Sequence, residues 1–140
     1  MRFVLDTNVL VSALVGHGKP RRLLFKLLEG HEIVSSKQML AELGDVMSRG
    51  RFGFTKRQIG EFLSIIARGS TMATVTECPE VISEDPDDDM VLATALEGRA
   101  GYVVSGDRHL LRLREYRGIT ILPVDDALDM LAQIDALKDR

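Results

Sequence analysis

The sequence predicts a three-layer α/β fold with a central parallel sheet. Short apolar segments alternate along the chain with longer amphipathic segments, and residues that favour helix ends separate them. Strands that alternate with helices of this length need right-handed crossovers, which make the strands parallel and cover both faces of the sheet. A length of 140 residues is typical of one domain, so we expect a single domain over residues 1–140.

The first half of the chain contains clearly delimited helices. Ser35 with Gln38, and Thr55 with Gln58, match the capping-box pattern, in which side chains three positions apart bond to each other's backbone amides. The predicted strands are residues 2–5 and 32–34, and the predicted helices are residues 7–15, residues 20–29, a helix opened by Ser35 that ends before Gly50, and a helix opened by Thr55 that Gly69 closes.

The second half continues the alternation. Gly98 follows a predicted helix at the position where glycine commonly ends one. The predicted strands or extended segments are residues 71–75, 81–82, 102–105 and 119–122, and the predicted helices are residues 88–97, 109–114 and 125–137.

Composition excludes several classes of protein. A hydrophobic content of 45 % with 28 % charged residues is ordinary for a globular protein. No apolar run approaches the roughly 18 residues that span a bilayer, so we expect a soluble, cytoplasmic protein with no membrane partner. The lone Cys78 excludes an internal disulfide and a thiolate-rich zinc site.

The net charge of −3 argues against a globally basic nucleic-acid binder, but the charge is unevenly distributed. An acidic run lies between residues 77 and 89, and a basic run lies between residues 108 and 117. This uneven distribution is typical of an acidic metal pocket that is surrounded by basic residues able to bind phosphate. The alternative is that the two runs are simply two separate solvated faces. The acidic run contains Glu77, Glu80, Glu84, Asp85, Asp87, Asp88 and Asp89, and the basic run contains Arg108, Arg112, Arg114 and Arg117 with one acid, Glu115.

Two acids directly follow predicted strands. Asp6 comes after the first strand and Asp107 after the strand at 102–105, and ligands of open parallel sheets bind beyond the carboxyl ends of the strands. Each could also be an ordinary helix N-cap. Glu42 lies two turns into its helix and is not a cap; it is either a boundary residue with a solvated carboxylate or a group aimed along the sheet edge towards Asp6.

The acids of residues 85–89 introduce a helix that is otherwise almost free of charge, which predicts that the helix is buried. Asp89 shares a side with Leu92 and Ala93, but Asp88 precedes Val91 in the same way, so periodicity does not separate the two acids. The helix dipole accounts for acids in a first turn, which is a sufficient explanation for Asp85 and Asp87. Three successive Asp residues also repel one another, which raises their pKa values unless a cation is present.

Several carboxylates without His or Cys suit Mg²⁺ or Mn²⁺ and exclude the usual zinc pattern. One or two such ions can polarise a phosphodiester and stabilise the leaving oxygen. The sequence therefore indicates metal-assisted phosphodiester hydrolysis.

Four segments resemble, in order, the acidic motifs of PIN domains: residues 4–10, the helix around Glu42, residues 85–93 and residues 103–111. The resemblance is strongest to the toxins of bacterial and archaeal toxin–antitoxin pairs (VapC-like proteins). It implies a Mg²⁺- or Mn²⁺-dependent endoribonuclease that cuts single-stranded RNA, is inhibited by an antitoxin protein and commonly forms a homodimer. By position, the resemblance implies that the catalytic and metal-binding acids are Asp6, Glu42, Asp89 and Asp107, and that Thr7, Asn8 and Ser105 support them, with Asp88 as a further candidate.

One departure from the family pattern concerns phosphate binding. Many of these toxins read Thr-Arg-Asn where this chain reads Ser105-Gly106-Asp107. The contact that the missing Arg would make is expected from Arg108, and we assign Arg108 and Arg112 to RNA binding. The remaining alternatives are a PIN-like RNA- or protein-binding module without catalysis and a housekeeping RNA-processing nuclease.

The segment from residue 50 to residue 66 is more apolar than one buried face requires. Phe52 and Phe54 lie in the loop between two helices, and Ile65 lies off the apolar stripe of the second helix. We expect an antitoxin or a second copy of the chain to cover this surface. The alternative is a wide core face with both Phe side chains packed beneath the loop.

Overall fold

The computed structural model describes residues 1–77 and 85–138. The extended segment predicted at 81–82 lies outside these residues, as do Cys78, Glu80 and Glu84. In chain order the elements are β1 (Arg2–Leu5), α1 (Thr7–Val15), α2 (Lys19–Gly30), β2 (Glu32–Ser36), α3 (Lys37–Met47), a 3-10 turn (Gly50–Phe52), α4 (Lys56–Arg68), β3 (Ser70–Ala73), α5 (Pro86–Glu97), β4 (Tyr102–Val104), α6 (Arg108–Leu113), β5 (Glu115–Tyr116), β6 (Ile119–Leu122) and α7 (Val124–Lys138).

The strands form one sheet in the order β3-β2-β1-β4-β6-β5. Every neighbouring pair is parallel except β5 with β6, which is antiparallel. This confirms the predicted three-layer α/β class and adds an antiparallel strand at one edge. The adjacent strands β1 and β4 end side by side, with Leu5 paired to Val104. The residues that follow these two strands therefore meet at one edge of the sheet.

Alternate strand residues point to opposite faces of the sheet, and each face packs against its own helices. Phe3 and Leu5 join the larger core, to which α1, α2, α3, α4 and α7 contribute. Val4 and Val103 join the second core, to which α5 and α6 contribute. Among the described residues, no helix is long and apolar enough to cross a membrane.

The structure corrects the predicted start of α3. The capping box of Ser35 and Gln38 is wrong, because β2 continues through Ser36 to pair with β3, and the Ser36 hydroxyl caps the helix by accepting from the Met39 amide at 3.3 Å. Gln38 instead donates to the carbonyl of Val75 at 2.9 Å. The capping box of Thr55 and Gln58 at the start of α4 is confirmed.

Candidate metal centre

Asp6 is placed by the continuation of the sheet. Its amide donates to the Val104 carbonyl at 3.0 Å, which fixes the backbone beside β4 one residue beyond the end of β1. Its carboxylate accepts from the Thr7 amide at 2.8 Å and so caps α1. Asp6 is therefore a helix N-cap, which was one of the two interpretations from sequence. It is also buried, which is unusual for a carboxylate whose only role is capping.

Ser105 connects the two acids that follow β1 and β4. Its buried hydroxyl donates to Asp6 Oδ2 at 2.7 Å and accepts from the Asp107 amide at 2.9 Å. Its own amide donates to the Leu122 carbonyl at 3.1 Å, which ties the turn to β6. The Asp107 carboxylate caps α6 by accepting from the His109 amide at 2.8 Å. One serine thus links the Asp6 carboxylate to the backbone of Asp107 just beyond the ends of two adjacent strands.

The acidic start of α5 delivers further carboxylates to the same place. Asp85 is the N-cap and Pro86 follows it, so the helix begins where proline is best tolerated. Asp88 lies three residues after the cap, on the same side of the first turn. Ligand oxygens of Asp85, Asp88 and Asp107 all lie within 4.8 Å of one another. Asp88 is only 4 % exposed, and its buried Oδ2 has no hydrogen-bond partner among residues 1–77 and 85–138.

The crowding of these acids changes their proton affinity. Burial raises the pKa of Asp88 to about 8, and the negative charges of Asp85, Asp107 and Asp6 add to the effect. Burial also raises the pKa of Asp6, against the lowering effect of the hydrogen bond from Ser105. Because these carboxyl groups resist ionisation, a divalent cation bound among them would strongly favour their charged form.

Glu42 reaches the cluster from α3. Its Oε2 accepts from the Thr7 hydroxyl at 2.9 Å, and Thr7 itself is buried directly after Asp6. Burial raises the pKa of Glu42 to about 7, and the charges of Asp87 and Asp6 contribute to the rise. The Glu42 carboxylate is partly buried and bonded to the residue after Asp6, so it is not a fully solvated boundary residue.

The other residues predicted from sequence fall around this cluster. Asp89 is as buried as Asp88, but it is not among the three acids whose ligand oxygens converge within the described residues. Asn8 is exposed at the start of α1, and Arg108 and Arg112 are exposed on α6, directly after Asp107.

Asp85 and Asp87 were explained from sequence by the helix dipole alone, yet the structure brings both into the electrostatics of the site. The spacing of Asp85 and Asp88 was the available signal. An N-cap residue and the residue three positions later have side chains that reach the same end of the helix. Two acids at this spacing therefore converge there.

Comparisons with known proteins identify the family. The PIN domain family matches residues 2–109, which is most of the chain. A comparison with curated proteins found no match. Among solved structures, the fold is similar to that of a chain of VapBC2 from Rickettsia felis bound to a DNA fragment from their promoter, with a TM-score of 0.65 and 20 % identity over 88 % of this chain and 98 % of that one. It is also similar to PAE2754 from Pyrobaculum aerophilum, with a TM-score of 0.64 and 17 % identity over 95 % of this chain and 90 % of that one. Because this match covers well over half of the sequence, the chain belongs to the PIN domain family.

Proposed function

We propose that this PIN domain is a Mg²⁺- or Mn²⁺-dependent endoribonuclease that hydrolyses phosphodiester bonds of single-stranded RNA. The observation that carries the proposal is the convergence of Asp85, Asp88 and Asp107 near Asp6, with one buried Asp88 oxygen that has no hydrogen-bond partner within the part of the chain that the structure describes. Leaving a buried acceptor without a partner costs free energy. A ligand that supplies positive charge at this point offsets the cost, and PIN domains are generally metal-dependent nucleases.

The donor set fits a hard divalent cation. All the converging groups are carboxylates, the ligands that Mg²⁺ and Mn²⁺ prefer, and no thiol or imidazole is among them. Asp85, Asp88 and Asp107 would hold the first ion, with Asp6 and Glu42 beside them. A bound ion supplies Lewis acidity and neutralises the charge of a phosphodiester.

The polar neighbours orient these carboxylates. The Ser105 hydroxyl donates to Asp6 Oδ2 and the Thr7 amide to Asp6 Oδ1, while the Thr7 hydroxyl donates to Glu42 Oε2, so both carboxylates are held in one orientation. Hydrogen bonds of this kind to ligand carboxylates typically change metal affinity by about 10- to 100-fold. We assign the same supporting role to Asn8, which is exposed beside Thr7. We assign the metal-ligand role to Asp88, whereas the resemblance implied Asp89. We assign Asp89 a structural role in the first turn of α5.

The test combines metal binding with cleavage. Mn²⁺ should raise the melting temperature of the wild type, because a ligand that binds only the folded state stabilises it by mass action. Cleavage of a single-stranded RNA should require the metal, and Asp6→Asn should remove cleavage while the fold is retained. The matched control is Asp126→Asn, an exposed acid in the first turn of α7. Absence of both a melting shift and metal-dependent cleavage in the wild type contradicts the proposal and favours a binding module without catalysis.

We further propose that the chain is the cytoplasmic toxin of a toxin–antitoxin pair and that it forms a homodimer. VapBC2 of similar fold was crystallised with promoter DNA, which supports an antitoxin partner. The surface predicted for a partner contains an exposed apolar side chain: Ile65 is 55 % exposed and borders a groove of about 220 Å³ with Leu14, Phe54 and Phe62. Phe52 and Phe54 themselves pack against the core and stack on each other at 5.9 Å, as the alternative interpretation of that loop expected.

The toxin proposal has a cellular test. Expression of the chain alone should stop growth of a bacterial host, and Asp6→Asn should restore it. Co-expression of the protein from an adjoining reading frame should also restore growth and should yield a complex on purification. Growth that is unaffected by an active wild-type nuclease would favour the housekeeping alternative.

A further inference from the structure

A cleft of about 390 Å³ adjoins the carboxylates, and apart from Asn8 and Ser105 its lining has no role in the proposed chemistry. We call it the side cleft. It shares the wall formed by Ser105 with the metal centre, because the Ser105 hydroxyl donates to Asp6. Its volume lies in the range of pockets that hold a single small ligand. The side cleft is lined by Asn8, Val9 and Ser12 of α1, Lys19 and Pro20 of α2, Ser105 and Gly106 after β4, and Pro123, Val124 and Asp125 around the start of α7.

The lining combines flat apolar surfaces with a polar rim. Pro20, Pro123 and the aliphatic side chain of Val124 offer the faces against which a planar ring packs. Asn8 is exposed, and its side-chain amide has both a hydrogen-bond donor and an acceptor. Such a group can form hydrogen bonds with the edge of a base. This combination of apolar walls and a few polar groups is typical of a pocket that binds and orients an organic ring.

A cation stands at the rim of the side cleft. Lys19 pairs with Asp125 at 2.8 Å, but both side chains are largely exposed, so this ion pair contributes little and can be exchanged for another anion. Lys19 is therefore free to move to a phosphate of a bound chain. A phosphate at the rim, a ring in the side cleft and a second phosphate at the carboxylates would follow one another in the order phosphate, base, phosphate that a nucleic-acid strand has.

We propose that the side cleft binds the base of one unpaired nucleotide next to the scissile phosphodiester. The proposal rests on the ribonuclease function proposed above and adds a position at which the substrate is recognised. A base in a duplex is stacked and has its pairing edge occupied, whereas unpaired bases can be turned out and packed on protein side chains. A pocket for one base beside the reacting phosphate therefore selects single-stranded RNA.

The test uses one single-stranded RNA with a mapped cleavage site and two copies of it, each with an abasic ribose on one side of that site. The wild type should cut one abasic RNA about tenfold less efficiently than the intact RNA. This lies near the low end of the range for a base stacked on an aromatic ring, because the side cleft offers proline and valine in place of an aromatic side chain. Ser12→Leu places a larger side chain in the side cleft from an exposed position on α1. It should bring the ratio of intact to abasic cleavage efficiency towards one, mainly through a higher KM for the intact RNA. Ser64→Leu in α4 is the matched control and should keep the wild-type ratio.

Circular dichroism and melting confirm that each variant is folded. If Ser12→Leu does not fold, Gly106→Val narrows the side cleft from the opposite wall, where an added Cβ meets no atom within 4 Å. Equal cleavage of intact and abasic RNAs by an active wild type overturns the base-binding proposal and leaves the nuclease intact. An unchanged ratio in a folded side-cleft variant overturns it as well. A wild type that cleaves none of the RNAs with Mg²⁺ or Mn²⁺ overturns the proposed function and this proposal with it.

Discussion

Asp88→Asn is the substitution that tests the metal centre most directly. In the metal-free protein the Asp88 carboxyl is buried among Asp85, Asp107 and Asp6, and its pKa rises from the ordinary value of 3.8 to about 8. An amide has almost the same shape and carries no charge. Asp88→Asn should therefore stabilise the metal-free protein and, at the same time, remove the stabilisation that Mn²⁺ gives to the wild type.

The direction of the pH dependence follows from proton binding. Between the ordinary pKa and about 8, the folded protein holds a proton on Asp88 that the unfolded chain has released, so the free energy of unfolding falls as the pH rises through this window. The raised pKa of Glu42 acts in the same direction up to about pH 7. For Asp88 the loss is at most about 1.4 kcal/mol per pH unit, and roughly 6 kcal/mol over the whole window.

Solvent reduces this limit, because Asp85 and Asp107 are only partly buried and water screens their charges. We expect Asp88→Asn to stabilise the metal-free protein at pH 8 by about 1–3 kcal/mol, which corresponds to roughly 3–9 °C in melting temperature. The difference from wild type should nearly vanish at pH 4, where the Asp88 carboxyl is largely neutral in the folded wild type.

Thermal melts with EDTA and with Mn²⁺, at several pH values, provide the assay. The wild type should gain about 3 kcal/mol at a Mn²⁺ concentration of 100 times Kd, and Asp88→Asn should gain much less. Asp89→Asn is the matched control, because it changes the neighbouring buried acid in the same turn. A full Mn²⁺ response in Asp88→Asn together with a lost response in Asp89→Asn would refute our assignment and restore the one made from sequence.

Three further predictions address the surroundings of the cluster. Thr7→Val should lower Mn²⁺ affinity about tenfold in melting titrations, because it removes the hydrogen bond to Glu42; unchanged affinity would make that bond purely structural. Replacing Arg108 and Arg112 by Ala should weaken RNA binding and lower its salt slope by roughly one unit per lost contact, and an unchanged slope would make these residues a solvated surface. Ile65→Ser should weaken association in sedimentation experiments without lowering the melting temperature of the isolated chain, whereas a destabilised monomer would show Ile65 to be a core residue.

The parallel sheet could be predicted because its signals are local. β1 and β6 have the predicted bounds, and the capping box of Thr55 and Gln58 marks the start of α4. The start of α3 was misplaced by one residue because Ser35 and Ser36 are both good caps, and only pairing with β3 decides between them. β5 was missed because its hairpin turn places Arg117 at a positive φ of 48°, a conformation that the sequence signals only through Gly118.

The metal centre could be predicted in outline, because residues after adjacent parallel strands must meet at one edge. Asp6 and Asp107 follow from this rule. The choice between Asp88 and Asp89 could not be made, since both residues are buried and both precede apolar residues in α5. The distance between Asp85 and Asp107 is decided by how α5 packs on the sheet, which no local pattern encodes.

The carboxylates of this site repel one another, so other interactions must hold them in place before a metal binds. Asp6 and Asp107 are fixed by backbone positions at the ends of paired strands and by the hydroxyl of Ser105 between them, and Asp85 and Asp88 are fixed by the first turn of a buried helix. None of these interactions needs a cation. A site assembled in this way loses little conformational entropy when the ion arrives, so the free energy stored in the repulsion becomes available for metal binding. The high pKa of Asp88 and the expected affinity for a divalent ion therefore have the same origin, and a substitution that relieves the repulsion must weaken the binding.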